Sequence, residues 1–166
     1  MALHTLHYRK WTLTVDREAT RNAYAAIPAG GTNECECLYC RNFALARDSG
    51  LVYPADVLET LYSLGIDCQK EVEAWEASPE RSVWRYYSVW FYFVGSAKRV
   101  AEWIRPSVVL REMQLQLDRE AEPAGEHIAV RFSQGMSIAQ QPFEGLQVAA
   151  IAFDVEVPWV LAEPSR

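Results

Sequence analysis

Three cysteines fall within six residues, Cys35-Glu36-Cys37-Leu38-Tyr39-Cys40, and no other stretch of the chain is as chemically distinctive. Thiolates at C-x-C-x-x-C spacing, on a loop running into a helix, can converge on one metal ion at sulfur–metal distances of about 2.3 Å. A structural Zn2+ takes four protein ligands, so the cluster is one short. Cys68, just beyond a predicted helix, is the expected fourth ligand because a helical hairpin could carry it back toward Cys40. The expected zinc set is therefore Cys35, Cys37, Cys40 and Cys68, with His4, His7 and His127 as weaker alternatives for the last place. A second C-x-x-C knuckle, which would make a zinc site specific, is missing.

Two other readings of the same residues stand beside the metal one. Cys37 and Cys40 form a C-x-x-C pair near a helix N-terminus, where the dipole lowers a thiol pKa and raises its reactivity, with Cys35 as a resolving thiol. The chain lacks the β-α-β context in which that redox motif works. Alternatively Cys37 and Cys40 lie on a buried helix face, since free cysteine is among the most buried residue types.

Asp154 and Glu156 share one face of a predicted strand at a spacing of roughly 7 Å, which suits paired carboxylate chemistry or a hard cation; solvent-facing acids are the plainer explanation. The aromatic run Trp84 to Phe93 could line a ligand pocket or offer a partner surface, although aromatic side chains also dominate cores. The alternating Glu71-Val72-Glu73-Ala74-Trp75-Glu76 reads as an edge strand with a solvated acidic face. Arg41, beside the cysteines, could hold an anion or simply be an exposed helix arginine. The three histidines form no H-x-x-x-H pair, and the phosphate-binding, dinucleotide-binding and G-x-S-x-G signatures are absent.

These residues need elements to hold them. Tyr8 to Val15 alternates as a half-buried strand with Trp11, Leu13 and Val15 on one face. Asp16 is a predicted N-cap for a helix over Arg17 to Ile27, which Pro28 and Gly30-Gly31 end. A second helix is predicted from Cys37 to Arg47, its start inside the cysteine cluster. The third, Tyr53 to Ile66, has Pro54 in its first turn, a stripe of Val57, Leu58, Leu61 and Leu64, and Gly65 at the left-handed C′ position. Ser82 to Gly95 reads as a strand apolar on both faces and hence central. Ala97 to Ile104 is expected to be a short helix, and Met113 to Leu117 a strand. A turn over Glu120 to Glu126 leads to a strand at Ile128 to Phe132. The last strand is Gln147 to Trp159, with Ile151, Phe153, Val155 and Val157 on one face. Helices early and strands late imply an α+β fold, a mainly antiparallel sheet with the N-terminal helices packed on one face.

The chain has 166 residues, half of them hydrophobic and 23% charged, which suits one globular domain over 1–166 with a core that needs no metal or disulfide to exist. A net charge of −6 argues against nucleic acid as a partner, because phosphate binding needs clustered Lys and Arg. No stretch approaches the ~20 apolar residues of a membrane span, and the opening residues lack a secretory pattern, so a cytoplasmic protein with reduced thiols is expected.

Several segments together carry a resemblance: Gly30-Gly31-Thr32-Asn33-Glu34-Cys35-Glu36-Cys37-Leu38-Tyr39-Cys40-Arg41-Asn42-Phe43, then Tyr53-Pro54, Leu64-Gly65-Ile66-Asp67, Trp90 to Gly95, and Val157-Pro158-Trp159-Val160-Leu161. From about Trp11 to Leu161 the chain resembles a family of small uncharacterised bacterial proteins with a C-x-C-x-x-C-R-N-F motif. The resemblance implies an order of segments and one structural unit around Cys37, Cys40, Asn42 and Phe43; it implies no mechanism. With no acid–base constellation to assemble, the expected function is a non-catalytic bacterial interaction or accessory module, stabilised by a zinc-bound cysteine cluster and working with a protein partner or a second copy of itself. The alternative is a thiol-dependent redox protein using Cys37 and Cys40.

Overall fold

A computed structural model describes residues 2–78, 84–99, 121–134 and 142–164. In chain order the elements are β1 (Leu3–Tyr8), β2 (Trp11–Asp16), α1 (Arg17–Ala26), α2 (Gly31–Glu34), α3 (Leu38–Asp48), α4 (Ala55–Leu64), β3 (Glu73–Glu76), β4 (Trp84–Arg99), β5 (Glu122–Pro123), β6 (Ile128–Gln134) and β7 (Val148–Pro158). The strands form one seven-stranded sheet in the order β1-β2-β4-β7-β6-β5, with β3 also paired to β4. Every pairing in it is antiparallel, and helices pack on the sheet, as an α+β chain with its helices early requires.

The aromatic run supplies the axis of this sheet. β4 pairs with β7 from Trp84 to Val94, with β3 from Tyr87 to Trp90, and with β2 from Gly95 to Arg99. Gly95 marks the point where β2 joins. Its φ is +145°, and a Cβ there would sit 1.9 Å from the Thr14 carbonyl oxygen, so any side chain would push β2 away. Between the β3 and β2 stretches, α1 completes the backbone pairing. The Tyr24 hydroxyl donates to the Tyr92 carbonyl at 3.0 Å and accepts the Tyr92 N–H at 3.1 Å, while Thr20 Oγ1 accepts the Val94 N–H at 3.0 Å. Backbone groups buried in mid-sheet must find partners, and here two helix side chains provide them.

Alternation places Tyr87, Val89, Phe91 and Phe93 of β4 and Ile151, Phe153, Val155 and Val157 of β7 in the core, with Trp11, Leu13 and Val15 of β2. Phe43 of α3 lies against Tyr87 with ring centroids 5.0 Å apart, and Tyr53, before α4, meets Phe153 at 5.6 Å and Phe91 at 6.3 Å. The predicted caps are present. Asp16 Oδ1 accepts the Ala19 N–H at 3.0 Å, and Gly65, at φ +81°, ends α4 with the Ile66 N–H returning to the Leu61 carbonyl at 2.9 Å.

Several expectations are corrected. The first strand is a hairpin, β1 and β2, turning at Arg9 with a left-handed φ of 54°. Its outer strand is largely exposed, so burial alternation gives it little signal. Ala97, Lys98 and Arg99 belong to β4 rather than to a helix, because β2 provides partners out to Arg99; residues 100–104 of that predicted helix, and the predicted strand at Met113 to Leu117, lie outside the described residues. Leu58 is 40% exposed and stands off the buried stripe of α4. Glu71, expected on a solvated face, is buried. No described helix is long and apolar enough to cross a membrane.

Candidate functional site

The cysteine corner begins where α2 ends and finishes inside α3. Cys37 is the N-cap of α3, in extended conformation, and its Sγ accepts the Cys40 N–H at 3.4 Å. A thiol thus takes the place that Ser or Asp usually holds at a helix start, and the chain folds Cys40 back over Cys37. Cys35 joins them: the Sγ atoms of Cys35, Cys37 and Cys40 all lie within 4.8 Å of one another. Cys37 is exposed, and the other two are half-buried.

The Cys35 and Cys40 thiols are electrostatically unequal. The backbone N–H of Cys37 and then the Cys40 and Cys37 thiols hydrogen-bond to Cys35 and pull its pKa below the ordinary thiol value. Burial, reinforced by its bonds to Cys35 and Cys37, pushes the Cys40 thiol up.

The residues after the cysteines tie the corner to the far end of the sheet. Tyr87 Oη donates to the Tyr39 carbonyl at 2.9 Å. Arg41 pairs with Glu163 at 3.0 Å on the surface. The fully buried Asn42 accepts the Val160 N–H at 2.7 Å and donates to the Pro158 carbonyl at 3.1 Å. Beneath them the buried Arg85 guanidinium lies 5.1 Å from the Tyr39 ring and 5.6 Å from that of Trp159, and pairs with Glu76 at 3.4 Å. Asn42 thus ties α3, just after the cysteines, to the chain that follows β7.

A second node holds the corner from behind. Arg47 pairs with the fully buried Glu71, donates to Thr32 Oγ1 at 3.2 Å and to Asn33 Oδ1 at 3.2 Å, and reaches Asp48 at 3.0 Å. Burial pulls the guanidinium's pKa down, and Glu71 with Asp48 more than offsets it. The Glu71 carbonyl also accepts the Gly31 N–H at 3.0 Å. In the sequence Glu71 reads as part of a solvated acidic edge and Arg47 as the end of a helix. Arg47 does sit one helical turn after the buried Phe43, an inward-facing position where a charge needs a partner.

An open groove of about 650 Å3 adjoins Cys35, with Asn33, Arg41, Ala44, Leu45 and Leu161 among its walls. Cys68 is not one of the gathered thiols. It is half-buried against the core, its pKa raised by burial and then by Asp67, with Arg47 and Glu71 also near. Among the described residues no histidine or carboxylate shares the cysteine group. His127 instead stacks on Trp84 at 4.4 Å and sits 3.2 Å from Glu156.

The strand-face acids are separated in role. Asp154 is buried and paired with Arg131, which also donates to Ser88 Oγ at 3.1 Å and lies 5.1 Å from the Trp90 ring. Glu156 is exposed beside His127. Each acid has its own basic neighbour, so the two do not make a paired carboxylate site.

Comparison with protein-family models, with curated proteins and with solved structures found no match. Of the C-x-C-x-x-C-R-N-F motif, the structure shows the gathered Cys35, Cys37 and Cys40.

Proposed function

We propose that the chain is a non-catalytic accessory module that holds a zinc ion on Cys35, Cys37 and Cys40 and offers the adjoining groove as a contact surface. One observation carries this reading: three sulfur atoms from one six-residue loop lie within 4.8 Å of one another. An ion bonded to three sulfurs at about 2.3 Å requires them roughly 3.8 Å apart in tetrahedral geometry, so small side-chain rotations suffice. The helix N-terminus behind Cys37 favours the thiolate charge that binding requires. A non-catalytic role is supported by the fate of the charged groups, since Arg47, Arg85 and Arg131 are each consumed by an ion pair with Glu71, Glu76 and Asp154. Leu45 and Leu161 give the groove an apolar wall suited to a protein partner. Elemental analysis of reduced, anaerobically purified protein should find about one zinc per chain, absent from the Cys37→Ser variant. A folded chain that neither carries zinc nor takes it up when supplied would overturn the reading.

The alternative is a redox role, favoured by the contact between Cys37 and Cys40. Against it, burial raises the Cys40 thiol and disfavours the thiolate that exchange needs. Mass spectrometry after mild oxidation decides between them: a redox protein gives one reversible intrachain disulfide among these cysteines, and a zinc-loaded site resists it.

A further inference from the structure

We propose that this corner is an exchangeable metal site, from which Zn2+ passes to an incoming thiolate ligand that approaches through the groove beside Cys35. The inference rests on the zinc reading above and adds to it a direction of traffic.

Structural zinc sites are closed by four protein ligands; sites with three keep a position for an outside ligand. Here three sulfurs gather, and among the described residues neither Cys68 nor any histidine or carboxylate joins them. The Cys37 thiol is exposed and the other two are half-buried, so the ion would sit at the surface. The groove of about 650 Å3 has Cys35 in its wall and is far larger than one water needs. Arg41 stands in the same wall, and its partner Glu163 is a half-exposed carboxylate that an anionic ligand can replace.

Transfer by this route is a ligand exchange without redox change. The incoming thiol releases its proton to solvent as its sulfur bonds to zinc in the fourth position. The Cys37–zinc bond then breaks, and the departing sulfur regains a proton from solvent and accepts the hydrogen bond from the Cys40 N–H seen at 3.4 Å. Further exchanges at Cys35 and Cys40, each cysteine recovering a proton, release the ion as Zn2+ to the acceptor.

The test uses the full chain loaded with zinc and mixed with increasing excess of dimercaptosuccinate, an anionic dithiol, with protein-bound zinc followed by native mass spectrometry. Associative transfer gives a rate that rises in proportion to the dithiol. Ala44→Phe, which narrows the groove from α3, should slow it about tenfold, measured on protein whose zinc stoichiometry has first been shown to match the parent. Leu161→Trp narrows the groove from another wall and should act alike, covering the case in which the first variant folds poorly. A transfer rate independent of dithiol concentration, or unchanged in both variants, overturns the exchange proposal and leaves the zinc reading standing. A chain that binds no zinc at the outset overturns both.

Discussion

Asn42 accepts the backbone N–H of Val160 at 2.7 Å, joining the first turn after the cysteine cluster to a residue 118 positions later. The same side chain donates to the Pro158 carbonyl at 3.1 Å. A carboxamide offers one acceptor and one donor group in fixed relation, and both are used by the backbone leaving β7. Asn42→Ala should therefore cost about 2–3 kcal/mol in urea unfolding, because it strands two backbone groups at a buried site. Asn42→Asp keeps the acceptor but sets a carboxylate against the Pro158 carbonyl, and should be at least as destabilising. If both variants unfold with the parent, the contact does not hold the C-terminal segment.

Arg47 and Glu71 make the most deeply buried ion pair at the back of the corner, with side chains 3% and 0% exposed. Removing one partner leaves an uncompensated charge in the interior, so Glu71→Ala or Arg47→Ala should each cost about 3–5 kcal/mol. The double variant should fall well short of the sum. A double-mutant cycle with no coupling between the two positions would show that the pair is not what joins α2 and α3 to the segment before β3.

Zinc stoichiometry should separate the fourth cysteine from the other three. Cys37→Ser is expected to abolish binding, whereas Cys68→Ser should keep about one zinc per chain, since the structure places Cys68 against the core and outside the gathered thiols. Loss of zinc in Cys68→Ser, with the fold intact by circular dichroism, would restore the four-cysteine site.

Alkaline stability should follow the buried tyrosines. Burial raises the phenol pKa of Tyr24, Tyr53, Tyr87 and Tyr92 above the ordinary value of 10.0. A group whose folded pKa is raised contributes stability that is whole below its unfolded pKa and is lost as pH climbs toward the folded one. Urea midpoints should hold up to about pH 10 and fall above it, by at most ~1.4 kcal/mol per pH unit for each linked proton. Tyr24→Phe should show a shallower fall, together with a constant loss at neutral pH because the Tyr92 backbone forfeits both its bonds to the hydroxyl. Equal slopes in parent and variant would remove Tyr24 from the linkage.

Local chemistry was legible in the residues themselves. Asp16 as a cap, Gly65 at the end of α4, Cys37 at the start of α3 and the inward face of β7 all depend on neighbours one to four positions away, or on a period of two. The crowding of Cys35, Cys37 and Cys40 is of the same kind, for a six-residue loop cannot carry its thiols far apart. Partners across the chain were not legible. Glu71 lies in a run that alternates like a solvated edge, and only the arrival of Arg47 from α3 makes its burial tolerable. Asp154 and Glu156 share a strand face, yet Arg131 and His127 divide them. Cys68 completes a plausible ligand count on paper, but the path of the chain after α4 carries it to the core instead. Spacing along the chain dictates short-range geometry because peptide dihedrals allow few alternatives. Which distant charge or thiol meets which is decided by how the helices seat on the sheet, where burial demands a partner and the fold determines which one is within reach.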